Sequence, residues 1–309
     1  MNTKPERLDK DGFPIPAGFD SNDPAGAPRT PRGPGALRLM RWVVLAGLLA
    51  AVWVHFDVGN WARNRIGDYL CQEAIRQYQQ NNLPGALASL DRAVGWAPKH
   101  GRAVTVRMMV HLELKNWEPA LDDSRRAAEL EPDDDDWVGG RLKALHGLKR
   151  HRETAAFCGE RLASHGEART MLLNTRAYAR ALGEFELNEG LADIDEALKG
   201  DEQNAAYIDT RGYVLLKLGR TKEALEEFEK AVALTDAELE AWNDRIIELR
   251  MRQTRRQQIE RLSKNLDEHR AVILHHRGEA QQKLGNKAQA EADFSEARRL
   301  GFDESQGTY

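Results

Sequence analysis

The residues that could do chemistry in this chain are few, and their spacing argues against each reaction they might support. His275 and His276 are adjacent. On a helix their side chains point about 100° apart, so they do not grip one metal ion together. They read as surface histidines. His151, Cys158 and His165 recur every seven residues. Side chains two helical turns apart lie about 10 Å from each other along the axis, too far for one ion. Asp133 to Asp136 follow Pro132 without the alternating ligands and central glycine of a calcium loop. They read as a turn whose last acids favour the N-terminus of the next helix. No phosphate-binding loop, dinucleotide fingerprint, nucleophile elbow or zinc-protease helix is present. The expectation is no catalytic, cofactor-binding or metal-binding residue, no cofactor and no enzyme. Cys71 and Cys158 read as two small buried thiols, and two cysteines do not place the chain in a redox compartment.

The elements behind these side chains repeat. Gly219 to Leu225 lead to Phe228 and Ala231; Gly285 to Ala290 lead to Phe294 and Ala297. Asn116 to Leu121 lead to Ala127 and Pro132, and Pro98 holds the place of Pro132 one repeat earlier. A period of about 34 residues, with small residues at fixed offsets, marks a stack of helix-turn-helix units. Seven units start near Gly67, Gly101, Asp135, Met171, Ala205, Leu239 and Ala271. Each reads as a helix A, a short turn and a helix B. In the fifth, Ile208, Gly212 and Leu215 share one helical face. Gly219 ends helix A, as a residue tolerant of positive φ should. The sixth unit is expected as a hairpin from Trp242, Ile246 and Leu249, then Ile259, Leu262 and Leu266, at helical spacing.

These residues resemble the tetratricopeptide repeat family. The family favours a small residue at repeat position 8, glycine at 15, alanine at 20 and 27, and an aromatic residue at 24. Units one, two, five and seven fit well and the fourth in part; the third and sixth depart from the pattern. The resemblance implies an all-α solenoid, a right-handed superhelix whose concave face is lined by helix A. It also implies that positions 2, 5, 9 and 12 of each unit point into that groove. They include Arg102, Thr105, Met109, Lys143, His146, Leu172, Thr175, Tyr213 and His275. Among these Arg102, Thr105, Met109, Lys143, Thr175 and Tyr213 are the candidate partner contacts, with Tyr213 the strongest single one. A clamp of Lys, Asn and Arg on successive units, which binds chaperone tails in one branch of the family, is absent.

Composition agrees with a helical array: charged residues are 30% and aromatics 7%, a mix that favours helices over strands. The net charge of −4 leaves no basic domain, so nucleic acid is excluded as an electrostatic partner. Residues 1–36 hold seven of the eleven prolines and read as a disordered tail. Residues 37–58 are expected to form one transmembrane helix, built on the uncharged run Trp42 to Phe56. Arg38 and Arg41 would snorkel to the headgroups, and Trp42, Trp53 and Trp61 would sit at the interfaces. Four arginines precede the run and the charges after it cancel, which puts the N-terminus in the cytoplasm and the repeats, residues 59–304, across the membrane. Residues 305–309 are a short tail. The expected function is a membrane-anchored scaffold binding a peptide or protein on its concave face. The alternative is a self-associating array that organises a membrane assembly, and a homo-oligomer fits either.

Overall fold

The computed structural model describes residues 34–55, 58–132, 134–164, 169–251 and 256–303. Of the expected tails at 1–36 and 305–309, residues 1–33 and 305–309 lie outside the described residues, as do Phe56, Asp133 and His165, while residues 34–36 open the first helix. Among the described residues the chain is all-α, with thirteen helices and no strand. It divides into two compact parts, residues 1–62 and 63–309.

The first part is built on α1 (Pro34–His55). Its large apolar side chains are exposed from Leu39 to Trp53. Among the described residues no helix is long and apolar enough to cross a membrane, so the expected transmembrane helix is not met by α1 as it stands.

In order, the remaining helices are α2 (Val58–Gln79), α3 (Leu83–Trp96), α4 (Gly101–Glu113), α5 (Trp117–Leu130), α6 (Asp136–Gly147), α7 (His151–Ser164), α8 (Arg169–Leu182), α9 (Leu187–Gly200), α10 (Ala205–Lys217), α11 (Thr221–Met251), α12 (Arg256–Lys283) and α13 (Lys287–Arg299). From α4 to α10, the first residues of successive A helices, at 101, 136, 169 and 205, keep close to the repeat period. Each A-to-B turn places a residue in the left-handed region, Asn81, Lys115, Lys149, Glu184, Gly219 and Gly285, and the turn of unit four adds a second, Glu186. Only two of these residues are glycine, so four turns carry the steric cost of a Cβ at positive φ.

The small residues set how closely the helices pack. Alanines 93, 127, 197, 231 and 297, one in helix B of five units, are all fully buried. A Cβ built at Gly212 would lie 2.7 Å from the Phe228 ring, and one at Gly278 would lie 2.6 Å from the Phe294 ring. Unit three breaks this rule. Arg161 stands where the others place that alanine, and α7 packs against α8 far more than against α6.

Unit six corrects the sequence reading most. No turn divides the chain at Leu239 or Ala271. Helix B of unit five runs on without a break as α11, and α12 runs straight into helix A of unit seven. That last segment of α12 stacks directly on α10: His276 Nδ1 lies 3.0 Å from both carboxylate oxygens of Asp209, 67 residues away. Unit seven therefore follows unit five in the stack. Arg270 joins Asp236 at 2.7 Å where α11 and α12 leave the array as one long hairpin.

Candidate partner-binding groove

Four side chains of α4 open the site. Arg102, Thr105, Val106 and Met109 lie at steps of three, one and three, one face of a helix. The start of α4 is held by His100. Its Nδ1 accepts from the backbone N–H of Ala103 at 3.2 Å, which leaves Nε2 to donate to Asp68 at 3.0 Å. Across from α4 are the end of α5 and the turn into α6, where the backbone N–H of Asp136 donates to Asp134 Oδ1 at 3.0 Å. Leu130, Glu131, Pro132, Asp134 and Asp136 complete a groove of about 680 Å³.

Val106, Met109, Leu130 and Pro132 give it an apolar floor, and Met109 remains 40% exposed. One guanidinium, Arg102, faces three carboxylates, those of Glu131, Asp134 and Asp136. Glu131 folds over the first turn of α4, where a Cβ on Gly101 would lie 2.5 Å from its Cγ. The partial positive charge of that helix end favours a carboxylate there. The site is thus an apolar floor with an acidic rim, and among the described residues no histidines, cysteines and carboxylates are grouped so as to hold a metal ion.

Of the six expected contacts, Arg102, Thr105 and Met109 line this groove, although Thr105 is itself buried. Lys143 is exposed on α6, away from the groove lining. Thr175 on α8 donates its hydroxyl to the carbonyl of Met171 at 2.9 Å. Tyr213, expected to face a partner, is buried instead: its ring stacks on His276 at 4.2 Å, and Lys217 lies 5.0 Å from its centroid. The helix that covers it is α12, which takes the place the sixth unit was expected to fill.

The two adjacent histidines are corrected in the same way. His276 is buried against Asp209, and His275 stacks on Phe302 at 4.0 Å. Both cysteines are free and buried, and burial pushes the Cys158 thiol up to about 12. The residues missed at the groove are those of its far wall, Leu130, Glu131, Pro132, Asp134 and Asp136. The only signal for them was Pro132 and the acidic run, which marked a turn between units and said nothing of the face the turn presents.

Residues 205–237 match the tetratricopeptide repeat family profile. No curated protein matches the chain. Among solved structures it is similar to PilW, described as a widely conserved type IV pilus biogenesis factor, at 17% identity and a TM-score of 0.52, covering 78% of this chain and 96% of that one. A tetratricopeptide repeat protein from Parabacteroides merdae ATCC 43184 superimposes with a TM-score of 0.52 at 14% identity, covering 78% and 95%. A MamA double mutant from RS-1 gives 0.50 at 15%, covering 56% and 96%. At these identities the likeness speaks for fold alone. Residues 205–237 thus carry a tetratricopeptide repeat, within an all-α array that has the fold of tetratricopeptide repeat proteins.

Proposed function

We propose that this chain is a non-catalytic scaffold that docks a peptide or protein segment in the groove between α4 and the α5–α6 turn. The groove itself carries this reading: an open apolar floor, an exposed methionine and an acidic rim. Methionine adapts to irregular surfaces, and three carboxylates against one guanidinium favour a segment with Lys or Arg beside an apolar anchor. A photo-crosslinker at Met109 of the full chain, with a control at the exposed Gly95, tests it. A distinct adduct formed from Met109 and lost on Asp134→Lys is the expected result. Equal labelling from both positions refutes the groove, and adducts only with a second copy would favour the self-associating array.

We further propose that α1 holds the chain at a membrane, with the N-terminus cytoplasmic and the repeats on the other side. The support is the exposure of Leu39, Met40, Trp42, Val43, Val44, Leu45, Leu48, Leu49, Val52 and Trp53, which covers every side of the helix. The run Trp42 to Phe56 spans about 22 Å, against about 30 Å of hydrocarbon. A full crossing therefore needs snorkelling by Arg38 and Arg41 or local thinning of the bilayer. The full chain should stay with membranes through a carbonate wash; release would refute the anchor. A reporter fused after Tyr309 should be active only outside the cytoplasm.

A further inference from the structure

One ion pair recurs inside the hairpins. In unit two Arg107 donates Nε to Asp123 Oδ2 at 2.8 Å and Nη2 to Oδ1 at 2.6 Å. In unit four Arg176 holds Asp193 in the same two-pronged way at 2.7 and 2.6 Å. In the last unit Arg277 holds Asp293 at 2.9 and 2.6 Å. Arg211 reaches Glu227 at 3.1 Å in unit five. The arginine sits on helix A and the buried acid on helix B. Burying a carboxylate is costly unless it is paired, and the fork of a guanidinium satisfies both oxygens.

Unit three keeps the arginine and lacks the acid. Arg141 holds the place of Arg107 one repeat later, and Phe157 holds the place of Asp123. The guanidinium carbon of Arg141 lies over the Phe157 ring, 4.4 Å from its centroid. Its Nε is buried with no hydrogen-bond partner, and so is Nε1 of Trp137 one turn earlier on the same helix. Arg107 has a second acid, Asp91 on the preceding helix B, at 3.0 Å. One repeat later the place of Asp91 is taken by Arg125, a like charge. Burial lowers the pKa of Arg141 and Arg125 adds to that; Glu160 and Glu153 oppose it. By contrast, the hydrogen bonds they donate to their aspartates raise the pKa of Arg107, Arg176 and Arg277.

A guanidinium held over an aromatic ring satisfies none of its N–H donors there, so they stay available to a carboxylate. Leaving two buried donors without acceptors is expensive, and an anion brought to them removes that cost. We propose that Arg141 and Trp137 form a carboxylate-binding site in the third hairpin, where a ligand supplies the acceptor that Asp123, Asp193 and Asp293 supply within their own hairpins. The site is separate from the α4 groove and does not depend on it.

The test uses the full chain in detergent, melted in acetate and in chloride at matched ionic strength. The wild type should gain melting temperature with acetate in a saturable way. Phe157→Asp installs the missing internal acid, so it should melt higher in chloride and lose the acetate response. Arg141→Gln should lose the response without that gain. A hexapeptide with one Glu, compared with its Gln counterpart, separates the sources. Saturation by the Glu peptide far below the acetate concentration needed points to a protein carboxylate, and equal concentrations point to a small free anion. An acetate response that is absent in the wild type, or that survives unchanged in both variants, overturns the proposal.

Discussion

Gly139→Ala and Gly212→Ala are the same chemical change inside a helix, and the structure assigns them opposite signs. Alanine is favoured over glycine in a helix interior by about 1 kcal/mol, because glycine loses more backbone freedom on folding. At Gly139 an added methyl meets nothing within 4 Å, so α6 should keep that whole gain. At Gly212 the methyl would lie 2.7 and 2.9 Å from two carbons of the Phe228 ring and 3.2 Å from Glu227 Cβ. Comfortable carbon contacts are about 3.5–4.0 Å, so the ring must retreat by roughly 0.5–1 Å. Phe228 is fully buried and has nowhere open to go. Overpacking of this kind costs about 1–3 kcal/mol, which leaves a net loss of about 1 kcal/mol after the helix gain. Urea unfolding of both variants beside the wild type reads the result. The midpoint should rise for Gly139→Ala and fall for Gly212→Ala, with unchanged slopes. Adding Phe228→Leu to Gly212→Ala should recover part of the loss relative to the sum of the single changes. If Gly212→Ala raises the midpoint as Gly139→Ala does, the close approach of α10 and α11 is wrong.

Lys149→Gly removes a Cβ from a residue at φ 56°, and should raise stability by about 0.5–1 kcal/mol in a melt after the added chain entropy of glycine is subtracted. Deleting residues 238–269 returns unit seven to a single repeat period after unit five. Since His276 already meets Asp209, that variant should keep its fractional helix content and its cooperative melt, and loss of either would show that the long hairpin is integral to the stack. Cys158, fully buried with its thiol pushed up to about 12, should resist iodoacetamide at mildly alkaline pH until the array unfolds, and fast labelling of the native chain would refute its packing.

How much of this was legible differs from unit to unit. Gly212, Ala224, Phe228 and Ala231 announced their hairpin, and Ala224, Phe228 and Ala231 are fully buried in it. Arg102, Thr105 and Met109 were placed by repeat register, and they share one face because three to four residues make one turn. The far wall of that groove was not legible, since a turn's composition does not say which helix it will face. Tyr213 was misjudged because its neighbour in space comes from α12, far along the chain.

Sequence by itself determined the local unit. A regular period with small residues at fixed offsets specifies a hairpin of two close helices, since each contact it needs lies within one unit. Only the tertiary structure decided which hairpins stack. Nothing local forces a turn at Leu239 or Ala271, so α11 and α12 run through both, and unit seven takes the open face of unit five by burying His276 against Asp209 and Tyr213. The same holds for Arg141. In sequence Phe157 and Arg125 merely stand where the acids beside Arg107 stand, and only the structure shows the Nε of Arg141 buried without an acceptor, unlike that of Arg107, Arg176 and Arg277. Stacking is a choice among faces that look alike in one dimension, and it is settled by burial and pairing across long separations, which periodicity does not encode.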